Sequence, residues 1–406
     1  MSGGEKEHKP ATRMVEAGRK REWTSMPGKP GGVVNPPVWR ASTHLYDNSS
    51  DHAEGRPNED GHFYYGRRGG PTQWALADAL TEMEPGAQGT QLFPSGVAAI
   101  ACTLQALLRP GDELLVTDNA YEPTRNLAMG MLKRQGVDIR PFDPLDLDGF
   151  PSLFGDTTRV VMMECPGSLT MEVCDVPALA RIAREKGAVS VLDNTWASPL
   201  GFAGLAHGCD VTVMSLTKHV GGHSDLMMGS ATATNPAFGR IRRQSQFLGQ
   251  VVSPDDASLA LRGLRSMALR LERETASALA IAEWLSARSE VSAVLCPMLP
   301  GAPGHAMWQR DFTGGCGLFS FVLADADNSA RARFIDALDL FGIGYSWGGF
   351  ESLITPFDPA PIHQLRAWPP GIDTGSGLGV RLSIGLEDPA DLIADLEHAF
   401  AAMGAA

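Results

Sequence analysis

The 406-residue sequence predicts an α/β protein with a mostly parallel central sheet, a smaller C-terminal α+β domain and an extended N-terminal arm. Three observations predict it. From about residue 70, short β-rich runs alternate with amphipathic helical ones, the pattern of right-handed βαβ crossovers. A long helical pattern opened by Ser253 and Pro254 then separates these runs from a second, shorter set of strands and helices. The first 69 residues, rich in Gly, Pro, Arg and Lys, hold neither period for long.

Taken in order, residues 1–69 are expected to form an arm too poor in apolar residues to fold unaided and therefore lying on a neighbouring subunit. Residues 70–263 form the first domain. It opens with the helix PTQWALADALTEME, where the fixed φ of Pro71 and the hydroxyl of Thr72 suit a first turn and a cap. Its strands are ELLVTD (113–118), RVVMMECP (159–166), AVSVLDN (188–194) and DVTVMSLTK (210–218), with stretches such as ALARIAREKG between them. After Ser253, Leu261, Leu264, Ala268 and Leu271 recur at steps of three and four, predicting a helix that bridges two domains. Residues 264–406 complete the second domain: strands GLFSFVLAD (317–325) and LGVRLSIGL (378–386), a helix around ARARFIDALDLF and a closing helix ADLIADLEHAFAAM. No internal repeat or low-complexity tract interrupts the pattern.

Composition narrows the function. Forty-seven acidic against 34 basic side chains leave a formal charge of −13, which repels a phosphate backbone and argues against nucleic acid as the main partner. Six cysteines lie far apart without CxxC spacing and read as reduced core thiols of a cytoplasmic protein. The first thirty residues contain no apolar h-region, and no window approaches about 18 uninterrupted apolar residues, so neither a secretory signal nor a membrane span is expected.

The sharpest local feature is SLTKH, where an apolar strand delivers Lys218 into HVGGHSD, a segment that cannot continue the strand regularly. In an open parallel sheet, ligands bind at the carboxyl ends of the strands. A solvated surface lysine is the ordinary reading for any one lysine, so context must decide. That context is Asp193 at the end of AVSVLDN, an acid that is expensive there unless it has a partner, although a turn cap explains it equally well. It is also LFPSGVAAIACTLQALL, where Ser95, Gly96 and Val97 open a strong helix whose free amides and dipole face any phosphate placed there; a plain N-cap is the alternative. A phosphate cradle, an acid on one strand and a lysine on another are together what pyridoxal 5′-phosphate demands. The lysine takes its aldehyde as a Schiff base, the acid keeps its pyridine nitrogen protonated, and the helix N-terminus anchors its phosphate.

On these residues the chain resembles the Cys/Met-metabolism family of pyridoxal-phosphate enzymes, which have the PLP-dependent transferase fold. The likeness runs from roughly residue 60 to residue 400 through FYYGRRG, FPSGVAA, NAYEP, ECPGSLTMEV, DNTWASP, SLTKHVGGHSD, RGLRSM, RDFTG, YSWGGFESL and VRLSIGLED. The resemblance implies that Lys218 is the Schiff-base lysine, Asp193 the pyridinium partner and Tyr121 the ring stacked over the cofactor. It gives the phosphate to Ser95, the Gly96 and Val97 amides, and the Ser215 and Thr217 hydroxyls, with Tyr65 and Arg67 reaching it from the adjacent subunit of a homotetramer, a dimer of dimers. Arg381, assisted by Ser346 and Trp347, would grip the substrate α-carboxylate. Arg68 is either a contact for a distal carboxylate or a surface ion pair.

The implied activity is α,β-elimination of cystathionine to homocysteine, pyruvate and ammonia, a step of methionine biosynthesis, with cysteine desulfhydration as a side activity. The alternative on the same scaffold is γ-elimination or γ-replacement, disfavoured by the bulk of Trp347. A catalytically silent binding protein and a nicotinamide oxidoreductase are more distant, and no GxGxxG opens a helix after a strand. Three positions depart from the family pattern: His219, where an aromatic commonly follows the lysine, Asn126 in place of an acid, and Gln246 in place of a tyrosine. His219 and His223 have i, i+4 spacing, but no Glu follows His219 and Gly221 and Gly222 interrupt a helix, so no metal site is expected.

Overall fold

Seven of the strands in the computed structural model, which describes residues 8–26, 28–54, 61–359, 365 and 377–404, join in one sheet. They are β1 (Gly89–Phe93), β2 (Glu113–Thr117), β3 (Asp138–Phe142), β4 (Thr158–Glu164), β5 (Val189–Asp193), β6 (Val211–Ser215) and β7 (Gly229–Ala233), in the spatial order β1-β7-β6-β5-β4-β2-β3. Pairs from β6 to β3 are parallel, and β7 is antiparallel to both of its neighbours. Strands β2 and β7 are buried along their whole length, as a sheet covered by helices on both faces requires. The four strands read from the apolar runs are present, each one to four residues shorter than its run.

The helix Pro71–Met83 forms as expected, with one difference at its start. Gly70 is the N-cap, its amide bonded to Gln73 Oε1 at 3.1 Å. The Thr72 hydroxyl does not cap: it donates to Pro37 O at 2.8 Å and accepts from Trp39 N at 2.9 Å, which ties the arm to the helix. Nor is the arm wholly extended or wholly directed to a neighbour. Short helices Pro10–Glu16 and Arg21–Thr24 carry Met14 and Trp23 into this chain's own core, and Arg265 donates to the carbonyls of Met14 and Ala17, each at 2.7 Å. Beyond them the arm does expose Val33, Val34 and Leu45.

A second sheet holds β8 (Val291–Leu295), β9 (Leu318–Leu323), β10 (Gly342–Ile343), β11 (Leu353–Phe357) and β12 (Gly379–Ser383), in the order β10-β11-β12-β9-β8. It is antiparallel except for β10 and β11. The 33-residue helix Pro254–Ser286 links the two sheets, capped by Ser253 Oγ accepting from Asp255 N at 3.1 Å and carrying two acids in its first turn. Leu261, Leu264 and Leu271 are buried as their spacing requires. The helix packs on Pro71–Met83 and also on β8 and the closing helix Pro389–Met403, so a boundary at residue 263 falls inside one continuous element. All six cysteines are buried and unpaired, and among the described residues no helix is long and apolar enough to cross a membrane.

Candidate active site

Parallel strands deliver side chains to one edge of the sheet, and here three neighbouring strands end on chemistry. β4 ends on Glu164, which pairs in register with Asp193 at the end of β5, and β6 ends on Ser215, three residues before Lys218. All four residues line a cavity of about 350 Å³. The helix Gly96–Leu107 points its N-terminus into the same cavity. Ser95 Oγ caps it by accepting from Ala98 N at 3.1 Å, which leaves the Gly96 and Val97 amides with no intrahelical acceptor. A Cβ on Gly96 would lie 2.9 Å from Ser215 Cβ, so any larger residue would fill the cradle.

Lys218 Nζ donates to Ser346 Oγ at 2.6 Å and lies 5.2 Å from the centre of the Trp347 ring. Burial, together with the nearby Arg381 charge, pushes its pKa down to about 8, with Asp193 acting in the opposite direction. Ser346 presents its hydroxyl from a left-handed backbone, φ 77°, a conformation that costs a non-glycine residue about 1–3 kcal/mol. The buried Asp193 carboxylate accepts from Thr195 N at 3.1 Å and Thr195 Oγ1 at 2.5 Å, and Thr195 Oγ1 in turn accepts from Ser215 N at 3.0 Å. Burial raises the Asp193 pKa while the Thr195 bonds and Lys218 lower it. A cation brought against this carboxylate would relieve the cost of burying it.

From the second sheet, β12 brings in Arg381. Its Nη2 donates to Ser346 O at 3.0 Å and to Thr355 Oγ1 at 3.2 Å, while its buried Nε has no partner. Burial pushes its pKa down to about 10, and no carboxylate pairs with it among the described residues. A guanidinium with an unpartnered Nε beside a lysine amine is a receptor for a small carboxylate. Tyr121 stands at the mouth, half of its surface in solvent, and its amide donates to Glu164 Oε2 at 2.6 Å. Burial first, then Glu164 and Asp193, raise its phenol pKa.

Of the residues singled out in the sequence, Lys218, Asp193, Tyr121, Ser95, Gly96, Val97, Ser215, Thr217, Arg381, Ser346 and Trp347 all line this one cavity. The Thr217 hydroxyl is also engaged with Met228, donating to its carbonyl at 3.2 Å and accepting from its amide at 3.0 Å. Tyr65, Arg67 and Arg68 do not line it. Arg67 and Arg68 border a separate hollow with Gln246, and Arg67 donates to Gln246 O at 3.2 Å. Asn126 Nδ2 reaches Glu122 Oε1 at 3.4 Å. Glu164 and Thr195 were missed. Glu164 carries the same signal as Asp193, an acid closing an apolar strand, and its pKa is held well above the usual carboxylate range by burial and by Asp193 beside it.

The residues present suit pyridoxal phosphate: an amine able to lose its proton near neutrality, an acid on the floor, a helix N-terminus for a phosphate and an unpaired guanidinium for an amino-acid carboxylate. Comparison with known proteins agrees. The sequence model of the family described as "Cys/Met metabolism PLP-dependent enzyme" matches residues 11–401. The chain is 41% identical over 395 residues to the cystathionine beta-lyase MetC of Escherichia coli K12, covering 96% of this chain and 98% of that protein. It is 44% identical over 337 residues to a cystathionine beta-lyase of Bordetella avium, covering 82% and 83%. The crystal structure of metB from Corynebacterium glutamicum superposes with a TM-score of 0.84 at 30% identity, covering 97% of this chain and 98% of that one. The fold, the cavity and the match together place the chain in the Cys/Met metabolism family of enzymes that depend on pyridoxal 5′-phosphate.

Proposed function

We propose that the chain is a carbon–sulfur lyase that opens cystathionine at its Cβ–S bond, releasing homocysteine, pyruvate and ammonia. One observation carries the reading: a buried guanidinium whose Nε has no partner lines the same cavity as an amine whose pKa is pushed down to about 8. That pairing fits an α-amino acid whose Cα–H is to be broken, and the likeness to cystathionine beta-lyases of other bacteria supports the thioether.

Pyridoxal phosphate supplies an aldehyde that the amine can join and a protonated ring that takes up the electrons left at Cα. Arg381 grips the α-carboxylate, starting from its unpartnered Nε, and turns the Cα–H bond toward Lys218. Lys218 Nζ, easily deprotonated where it sits, takes that proton, and Ser346 Oγ holds the amine in line. Asp193, kept in place by Thr195, supports the positive charge on the cavity floor. The Cβ–S bond then breaks with its electron pair going to sulfur, and the proton on Lys218 passes to that sulfur. Tyr121 stays a protonated phenol across this range and closes the mouth. The three-carbon enamine that remains takes up water and falls to pyruvate and ammonia.

The Gly96 and Val97 amides with Ser95, Ser215 and Thr217 are assigned to the phosphate. Tyr65 and Arg67 are assigned to the phosphate of an adjacent subunit, in a cytoplasmic homotetramer; sedimentation of the loaded protein as a monomer would remove that assignment. The γ-acting reading needs a second deprotonation at Cβ, and the Trp347 ring takes up space beside the amine where the chain would have to move. Incubation of the loaded protein with cystathionine separates the two. Pyruvate with homocysteine supports β-cleavage, whereas 2-oxobutyrate with cysteine overturns it.

A further inference from the structure

The residue after Lys218 is His219, which does not line the site cavity and is only 2% exposed. Its Nε2 lies 3.1 Å from Trp196 O, an acceptor, so that nitrogen carries the ring proton and Nδ1 is left as a bare acceptor. Nδ1 has no hydrogen bond, and Glu274 Oε2 lies 3.9 Å from it. Glu274 is 0% exposed and neither of its oxygens has a partner. An ionised carboxylate in that place would face the Nδ1 lone pair, and Arg270, although it attracts the carboxylate from one turn earlier on the helix, makes no hydrogen bond to either oxygen. A carboxylic acid fits, because its O–H is the donor that Nδ1 lacks.

The same imidazole packs against Trp347, ring centres 5.3 Å apart, on the residue whose indole lies over Lys218 Nζ. The segment is clamped from behind. Arg270 Nη2 donates to His219 O at 2.7 Å and to Gly263 O at 2.9 Å. A Cβ on Gly222 would lie 2.2 Å from Arg270 Cζ, so the glycine at 222 is what lets this guanidinium in. We propose that His219 is a positioning residue, that a neutral Glu274 closes the 3.9 Å gap to donate its O–H to Nδ1, and that the imidazole so held sets the stance of Trp347 and hence of Lys218. The groups facing Glu274 from every side are His219, Arg270 on its own helix, Glu351 from the segment after Trp347, and Cys316 ahead of β9. Burial and Glu351 push the Glu274 pKa up to about 7 against the pull of Arg270, and burial holds His219 down at about 3, both in keeping with an acid beside a neutral imidazole.

The turnover part of the test rests on the lyase reading; the visible circular dichroism of the Lys218-bound cofactor, recorded without substrate, does not. E274Q keeps a donor for Nδ1, so it is expected to retain at least about half of the wild-type kcat and the wild-type dichroism. E274M and H219F each remove one partner, and each is expected to lower kcat about tenfold with KM within about threefold, and to weaken the dichroic band. The double variant H219F/E274M replaces the polar pair with an apolar one and is expected to recover most of both losses. The proposal is overturned if E274Q is as damaged as E274M, if the double variant is no better than the worse single one, or if the dichroism of H219F and E274M matches wild type. A wild-type protein inactive on cystathionine defeats the lyase reading instead, and the dichroism still decides the role of His219.

Discussion

Replacing Arg381 with Lys isolates the guanidinium edge on which substrate recognition rests. The lysine keeps the positive charge and loses the fork, so it can offer a carboxylate one good hydrogen bond where Arg381 offers two. Arg381 Nη2 rests on Ser346 O and Thr355 Oγ1 while Nε is buried without a partner, so a substrate carboxylate that accepts from Nε completes the fork by drawing Nη2 from one of those oxygens. One lost charge-assisted bond is worth about 2–3 kcal/mol, which converts to a fall of about 30- to 150-fold in kcat/KM. R381A removes both bonds and is expected to fall about a thousandfold or more. The assay is steady-state pyruvate release from cystathionine, with cofactor absorbance measured in parallel to show that R381K still holds pyridoxal phosphate. An R381K enzyme within about threefold of wild type, where the expected loss exceeds tenfold, would refute the placement of the carboxylate.

Three further outcomes follow from the geometry. D193N keeps an oxygen to accept from Thr195 and should fold normally and bind cofactor, but an amide cannot sustain a positive charge on the cavity floor, so kcat should drop by more than about tenfold; wild-type turnover in D193N would reject the role of Asp193. Because Lys218 has a pKa of about 8 when folded against 10.5 unfolded, the unfolded chain binds the extra proton, and the cofactor-free protein pays its full burial penalty below pH 8 and sheds it as pH rises from about 8 to 10.5. Cofactor-free K218M should therefore resist denaturant better than cofactor-free wild type at pH 7, by up to about 3 kcal/mol, with the gap closing through that window; a gap that does not narrow contradicts the assignment. G263A would place a Cβ 2.1 Å from Val220 O and 2.3 Å from Gly221 O, forcing the long helix off the segment that follows Lys218, so it should lose about 1–3 kcal/mol in denaturant unfolding and retain cofactor poorly.

Much of this arrangement is legible in the sequence. Asp193 and Lys218 close apolar runs, Ser95 and Gly96 open a helix, and those local patterns survive folding because strand ends and helix caps are local physics. β7 was not legible: GSATA has neither bulk nor β-branching in most of its positions, and its smallness has a tertiary cause, since a Cβ on Gly229 would lie 2.3 Å from Ser95 O. Glu164 lay inside a run correctly read as a strand, but its place beside Asp193 depends on the register between β4 and β5, which no single run carries. His219 and Glu274 meet only because the long helix seats Gly263 on the backbone of Val220 and Gly221. The helical start of the arm was hidden by its Lys- and Arg-rich sequence, while Met14 and Trp23 supply enough apolar surface to hold it on the core.

The account stands or falls on which amine carries the cofactor. Borohydride reduction of the loaded protein, followed by proteolysis and mass mapping, should place the pyridoxyl group on the peptide containing Lys218 and bleach the visible band in proportion. Label on any other lysine, or a visible band that survives reduction, would contradict it.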